Sequence, residues 1–174
     1  ITDPVTEGLS PSGFMKQDPA PVLAAIRAIK AATDKPLFVK VNPLGGGEMA
    51  ALAQAIEAAG ADAIVATNSF GPVMAIDAET GTPGNRAWLS GTSLKPLALR
   101  CVFDIARAVK IPVIGVGGIS RPEDVVEYLM AGAAAVQITT AALKPGAKFY
   151  GRLASRLDNW LDEHGYASVS AVTG

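Results

Sequence analysis

Hydrophobic and polar positions follow two patterns that alternate along the chain. Short apolar blocks rich in β-branched residues, which are typical of strands buried on both faces, occupy 36–41, 62–67, 113–116 and 135–138. Stretches whose apolar residues recur every three or four positions predict helices at about 19–32, 48–59, 93–109, 120–130 and 149–161. One helix is thus followed by strand and helix four times, which predicts parallel βαβ units with right-handed crossovers.

Local sequence signals place the ends of these helices. N-terminal caps are predicted at Asp18-Pro19, at Ser93 and at the Ser-x-x-Glu pattern of Ser120–Glu123. The matching tripeptides Ala59-Gly60-Ala61 and Ala131-Gly132-Ala133 predict the same glycine stop before the next strand. The inward-facing residues predicted for the helix at 93–109 are Leu99, Val102, Phe103 and Ala106.

The number of strands predicts half of a barrel. A (β/α)8 (TIM) barrel needs about 250 residues, whereas this chain has 174 and four predicted strands. We therefore predict a single α/β domain over 1–174 that forms the second half of such a barrel. Its sheet would have two unpaired edge strands, which another part of the protein or a partner must cover. The chain starts at Ile1 without a signal-peptide pattern and resembles the later part of a longer protein.

Two stretches show no periodicity. Residues 1–17 are rich in Pro, Gly, Ser and Thr and predict a loop. Residues 70–92 predict a long connection at the active-site end, rich in Gly and Pro; connections of that length in a compact domain are usually functional or disordered.

Composition narrows the function classes. The 15 basic and 16 acidic residues form no block of like charge, so neither a nucleic-acid nor a membrane partner is expected. Cys101 is the only cysteine, which excludes an intrachain disulfide, fits a reducing, cytoplasmic setting and predicts a small buried hydrophobe. His164 is the only histidine, so no metal site is expected, and no apolar run approaches the ~20 residues that cross a bilayer.

Polar residues and glycines gather where the predicted strands end. In chain order they are Lys40, Asn42, Asn68, Ser69, Gly117, Gly118, Thr139 and Thr140. In a barrel, the carboxyl ends of all strands meet at the active-site face. Gly117-Gly118 lies between a strand and a helix, where backbone N–H groups and the helix dipole favour a phosphate, although such a pair is as often a tight turn.

Each of these residues also has a purely structural interpretation. Lys40 could extend to the surface, but an ammonium in so apolar a block needs a partner, which favours an inward functional role. Asn68-Ser69 could form a cap or turn, and Thr139-Thr140 could be ordinary strand residues. Trp88 and Trp160 are interpreted as packing residues because no basic stripe accompanies them.

These residues stand in the motifs of a known family. The motifs, in family order, are PLFVKVNP with Lys40, DAIVATNSFG with Asn68-Ser69, LSGTSLKPLALR at 89–100, IPVIGVGGI at 111–119 and AGAAAVQITTA at 131–141. From Phe14 onward, nearly the whole chain resembles the second half of dihydroorotate dehydrogenase. SGTSLKPLALR is also similar to the pyrimidine-reducing domain of dihydropyrimidine dehydrogenase, a relative.

The resemblance implies a site for flavin mononucleotide (FMN). It places Lys40 at the pyrimidine edge of the flavin ring, where a cation stabilises negative charge on the reduced flavin. It brings Ser90-Gly91 against the cofactor and aims the N–H groups of Gly117-Gly118 and Thr139-Thr140 at its phosphate. Asn68-Ser69 would meet the carbonyl, N–H and carboxylate groups of the substrate.

The implied reaction is oxidation of dihydroorotate to orotate in pyrimidine biosynthesis. In the family a base removes a proton from C5 while hydride passes from C6 to flavin N5. That base is a cysteine or serine in a loop that should precede or overlap residues 1–13, where this chain has no cysteine; Ser10 and Ser12 are weak candidates, so the base is unknown. Where relatives often have Gly-Gly before the Leu-Ser-Gly, this chain has Ala87-Trp88.

Three alternatives stay open at the level of sequence. They are a related flavoenzyme that reduces another dihydropyrimidine-like substrate, a non-redox barrel lyase or isomerase that grips a phosphorylated substrate, and a flavin-binding module without catalysis. The partners that the resemblance implies are a small pyrimidine substrate, the N-terminal half of the same barrel, a second copy in a homo-oligomer and an iron–sulfur flavoprotein subunit.

Overall fold

The computed structural model describes residues 19–43, 48–84 and 87–173. The loop predicted at 1–17, the cap at Asp18, and both Ser10 and Ser12 lie outside these residues. The described helices span Ala20–Ala32 (α1), Glu48–Ala58 (α2), Lys95–Ala106 (α3), Pro122–Met130 (α4) and Lys148–Glu163 (α5). The described strands span Phe38–Val41 (β1), Ala63–Ala66 (β2), Phe70–Val73 (β3), Ala87–Leu89 (β4), Val113–Val116 (β5) and Ala135–Gln137 (β6).

Four of these strands form one parallel sheet in the order β1-β2-β5-β6. The strand order follows the chain order, and a helix follows each of these strands before the next one begins. The predicted α/β fold is thereby confirmed as a run of strand-and-helix units in barrel order, which makes up half of a (β/α)8 barrel. Within the described part of the chain, β1 and β6 each pair with one neighbour and leave the sheet with two open edges.

The two faces of this sheet have different surroundings. The core under the helices contains Ile26, Val39, Met49, Ile56, Ile64, Val102, Ile105 and Val113. Because side chains alternate along a strand, Lys40, Val65 and Ile114 share the opposite face, where the register sets them side by side. Phe38 shares that face and is 48% exposed. This face therefore has the apolar residues expected of the interior of a barrel that is only half present.

The long connection at 70–92 contains structure of its own. Strands β3 and β4 pair antiparallel, with Phe70 opposite Leu89, and a bridge joins Ile76 to Pro83. At the far end, the Asp77 carboxylate accepts the N–H groups of Glu79 and Thr80. The described part of the connection therefore contains an antiparallel hairpin, and Ser90 and Gly91 at its end line the cavity described below.

Both predicted glycine stops are confirmed. Gly60 and Gly132 have φ values of +103° and +97°, in the region that favours glycine. The N–H groups of Ala61 and Ala133, one residue further on, donate to the carbonyl oxygens of Ile56 and Tyr128. Each helix therefore ends in the same hydrogen-bonded turn and feeds directly into the next strand.

The predicted start of α3 is wrong. A 3₁₀ turn over Thr92–Leu94 comes first, and α3 begins at Lys95 without a side-chain cap from Ser93. Of the residues predicted to face the core, Val102 is buried and Leu99 and Ala106 pack against the core, while the other buried residues of the helix are Ala98, Cys101 and Ile105. Phe103, predicted to face the sheet, is 41% exposed and lies 5.1 Å from the guanidinium of Arg107.

No described helix is both long and apolar enough to span a membrane. Among the same residues, no three potential His, Cys, Asp or Glu ligands cluster around a common point that could hold a metal ion.

Candidate active site at the carboxyl ends of the strands

A cavity of about 690 Å³ opens at the carboxyl ends of the parallel strands. That volume lies within the range of small-molecule and cofactor sites. The cavity is lined by all nine residues that the sequence proposed: Lys40, Asn68, Ser69, Ser90, Gly91, Gly117, Gly118, Thr139 and Thr140. Asn42, which the sequence also places at this strand end, is half-buried just after β1 and is not among the lining residues. The fold thus brings five separate sequence motifs to one site, four of them at strand ends.

The glycine pair after β5, Gly117 and Gly118, forms one corner of the cavity, which we call the glycine corner. Gly117 and Gly118 have φ values of +135° and +72°, which L side chains rarely adopt. A methyl group at Gly118 would come within 2.7 Å of the Lys95 Cβ and 2.8 Å of the Gly91 carbonyl oxygen. Glycine is therefore required by backbone conformation and by space, and the exposed backbone of this corner can approach a ligand closely.

Two further loops meet the glycine corner. The Thr140 hydroxyl lies 3.2 Å from the Ser90 hydroxyl, and a methyl group at Gly91 would lie 3.3 Å from Thr140 Cγ2. The N–H groups of Gly118 and Thr140 donate to no other described residue. Backbone donors after two neighbouring strands therefore lack a described acceptor, which suits an anionic ligand.

A buried network supports the glycine corner from below. The Tyr128 hydroxyl donates to the Gly117 carbonyl oxygen at 2.7 Å, and the tyrosine ring occupies the space that a side chain at Gly115 would need. Tyr128 is fully buried, and this burial raises the pKa of its hydroxyl well above its usual range. The hydroxyl therefore stays protonated and acts as a permanent donor that fixes the Gly117 carbonyl.

Asp124 is the second part of this network, and it corrects the predicted capping box. The cap of α4 is formed by Arg121 and Asp124 rather than by Ser120 and Glu123. One Asp124 oxygen accepts the N–H groups of Ser120 and Arg121 and the Ser120 hydroxyl, and the other accepts the Lys95 ammonium at 2.7 Å. The box shifts by one residue because the carboxylate also has to meet Lys95 on the neighbouring helix.

Charge pairing stabilises this network. Burial alone would raise the pKa of Asp124, but the hydrogen bonds from Lys95 and Ser120 outweigh it and hold that pKa below its usual value. Burial would likewise lower the pKa of Lys95, but its pairing with Asp124 and Glu127 raises it overall. At neutral pH both groups are charged, and the loop after β5 is tied to α3.

We expect Asp124→Asn to destabilise the fold by about 2–3 kcal/mol at pH 7, because it removes a 4%-exposed partner of Lys95. An acid whose pKa is lowered on folding contributes stability above its unfolded pKa, and this contribution disappears as the pH falls through the folded pKa. The difference in free energy of unfolding between the native protein and the variant, measured by urea unfolding, should therefore shrink below about pH 4. Asp104→Asn, which breaks the exposed pair with Arg100, should cost under about 1 kcal/mol. An equal difference at pH 7 and pH 3 would contradict this account.

Lys40 is the cation of the cavity wall. It is half-buried in the middle of β1, between the buried residues Val39 and Val41. No hydrogen bond or ion pair joins its ammonium to another described residue. A half-buried ammonium that faces a cavity without a protein partner favours an anionic or electron-rich ligand there.

Thr67 and Trp88 are among the lining residues that the sequence did not propose for the site. Thr67 follows β2, is 1% exposed and lines the cavity, and its hydroxyl has no described hydrogen-bond partner. The signal for it was present, because it is the first polar residue after a wholly apolar strand. Trp88, interpreted as a packing residue, is instead 51% exposed at the cavity wall.

The remaining predictions concern residues away from the cavity. Cys101 is 1% exposed within α3, as expected of a small buried hydrophobe. Trp160 packs against the core and stacks on His164, with ring centroids 3.9 Å apart. His164 caps the end of α5 and bonds to the Trp160 carbonyl oxygen, which agrees with its exclusion from the site.

The fold and cavity define a class of protein. A ligand cavity at the carboxyl ends of parallel strands, in half of a (β/α)8 barrel, lies where enzymes of this fold have their active sites. Comparison with known families specifies the class further: residues 4–161 match the family model described as dihydroorotate dehydrogenase. The chain belongs to the dihydroorotate dehydrogenase family.

Curated relatives agree with this family. The chain is 42% identical over 161 residues to the "Dihydroorotate dehydrogenase B (NAD(+)), catalytic subunit" of Thermococcus kodakarensis, with 91% of this chain and 53% of the relative covered. Proteins of the same name from Methanothermobacter thermautotrophicus and Trichlorobacter lovleyi are 37% and 42% identical, with 91% and 90% of this chain and 53% and 52% of the relatives covered. The chain spans about half the length of the curated relatives it matches.

Proposed function

We propose that this chain forms the carboxyl-terminal half of an FMN-dependent enzyme that oxidises dihydroorotate to orotate. The observation that carries the proposal is the convergence of four strand-end motifs on one cavity. Family membership supports the reaction class, and the names of the relatives support dihydroorotate as the substrate.

The residues present fit a ring-plus-phosphate cofactor. The glycine corner and Thr140 offer unpaired backbone donors, which suit a phosphate. The buried, unpartnered Thr67 hydroxyl and the unpaired Lys40 ammonium suit the polar atoms of a heterocyclic ring. When bound, a flavin supplies the hydride-accepting centre that side chains lack.

Each element of the cavity then has a role. The N–H groups at Gly118 and Thr140 hold the phosphate, while Ser90-Gly91 pack against the cofactor from the hairpin. Lys40 stabilises negative charge that develops at the pyrimidine edge of the ring. Asn68-Ser69 orient the substrate by accepting from its ring N–H groups and donating to its ring carbonyl oxygens and its carboxylate. The base that removes the C5 proton lies outside the described residues in this proposal.

The open edges of β1 and β6 support a further part of the proposal. Strands that precede this segment would close the barrel and cover both edges. Because the relatives are named catalytic subunits of an NAD(+) enzyme, we propose that electrons leave for NAD⁺ through a second subunit. The iron–sulfur flavoprotein character of that subunit, the homo-oligomer and the cytoplasmic location stay predictions from sequence.

The test is to load the full-length polypeptide that contains these residues with FMN and add dihydroorotate without oxygen. We expect the yellow absorbance to bleach and orotate to form. Dihydrouracil, which lacks the carboxylate, is the matched control and should bleach the flavin far more slowly. A flavin that dithionite reduces but dihydroorotate does not would indicate a binding module without catalysis. Failure to bind FMN while binding a phosphorylated sugar would indicate the lyase or isomerase alternative.

A further inference from the structure

Trp88 is a large aromatic side chain that is left half-exposed at the cavity wall. Single exposed apolar residues are ordinary on protein surfaces. This one differs because it lines the cavity together with polar residues such as Asn68, Ser69 and Ser90, and it is the only aromatic side chain among the described lining residues. An indole at this place offers the cavity an apolar aromatic surface.

The indole is held in place by the hairpin. Trp88 lies on β4, and Gly71 lies on the paired strand β3, within the irregular register between Phe70 and Val73. A methyl group at Gly71 would come 2.9 Å from Cδ1 and 3.0 Å from Cγ of the indole. The pyrrole side of the ring therefore packs directly on the Gly71 backbone, which limits the rotamers of Trp88.

Its neighbours place Trp88 toward the substrate end of the cavity. Gly71 follows Asn68-Ser69 after Phe70 alone, so the indole is anchored next to the pair proposed to hold the substrate. Ser90, two residues after Trp88, contacts Thr140 at the phosphate end instead. The indole thus lies between the phosphate end and the substrate end of the cavity, and Gly71, on which it packs, lies on the substrate side.

We propose that Trp88 is a specificity-determining residue that stacks on a planar nitrogen heterocycle at the substrate end of this cavity. The proposal rests on the proposed function and deepens it. Offset stacking needs a flat π-system. Orotate is conjugated and flat, whereas dihydroorotate is puckered at its two saturated carbons. Trp88 should therefore favour the unsaturated ring over the reduced one.

The test compares Trp88→Leu and Trp88→Phe in the FMN-loaded full-length polypeptide. We expect Trp88→Leu to weaken orotate binding roughly three- to tenfold, to change dihydroorotate binding by less than about twofold, and to leave FMN affinity unchanged. Trp88→Phe should restore most of the orotate affinity. Met74→Ala, which removes a 62%-exposed side chain of the same connection outside the cavity lining, is the control and should change nothing.

The outcomes separate this inference from the proposed function. If Trp88→Leu loses affinity equally for orotate and dihydroorotate, or loses affinity for neither, the stacking role is overturned. The proposed function is unaffected by that result as long as the native protein oxidises dihydroorotate. A loss of FMN affinity with unchanged orotate binding would assign the indole to the flavin ring and also overturn the proposal. A native protein that binds FMN but neither ring would refute the proposed function itself.

Discussion

Replacing Lys40 with alanine should slow reduction of the bound flavin by dihydroorotate by about 10²–10³-fold, the cost of removing one charge-stabilising donor from an active site. The reason is its position: a half-buried ammonium on β1 faces the cavity and has no described protein partner. The fold should be retained, because the side chain contributes no hydrogen bond within the described structure. Rapid mixing of the FMN-loaded protein with dihydroorotate, followed by flavin absorbance, measures the rate.

Two variants make this result specific. Lys35→Ala removes an exposed lysine just before β1 and should leave the rate unchanged. Lys40→Arg retains the charge but changes its geometry, and should fall between the native protein and the alanine variant. A normal rate of flavin reduction in Lys40→Ala would remove Lys40 from the site.

Gly118→Ala should abolish stable FMN binding. The added methyl group meets the Lys95 Cβ, the Gly91 carbonyl oxygen and the Lys95 nitrogen, all within 2.9 Å, at a backbone φ of +72°. Backbone atoms cannot move aside as the end of a side chain can, so the corner has to open. We expect at least about a hundredfold loss of FMN affinity, equivalent to about 2.7 kcal/mol, measured by titration of flavin fluorescence.

Gly146→Ala is the matched control for backbone strain. Gly146 has a similar φ of +65°, but no atom lies within 4 Å of its added methyl group. It should cost about 1–2 kcal/mol of stability and leave FMN affinity intact. Equal effects of both substitutions on FMN binding would mean that strain, rather than the crowded corner, governs the result.

The fold could be predicted from the sequence because its local signals agree with its packing. Each of the four strands of the sheet is an apolar block, and Gly60 and Gly132 mark helix stops that require positive φ. The cavity residues could be predicted because parallel strands bring their carboxyl ends to one edge of the sheet, so that Lys40 and Thr140 line the same cavity although they are 100 positions apart in sequence.

The errors arose where tertiary contacts override local pattern. Ser93 has the chemistry of a cap, but the backbone there forms a 3₁₀ turn and α3 starts later. Asp124 replaces Glu123 in the capping box because Lys95, distant in sequence, pairs with it. The interpretation of Trp88 as a packing residue was wrong because the exposure of this side chain depends on how β4 pairs with β3, which no local pattern encodes.

A crystal structure of the full-length polypeptide with FMN would show directly whether the strand ends hold the cofactor. We expect the phosphate within hydrogen-bond distance of the N–H groups of Gly118 and Thr140, and the pyrimidine edge of the ring beside the Lys40 ammonium. A flavin bound elsewhere, or a phosphate that avoids the glycine corner, would contradict this expectation.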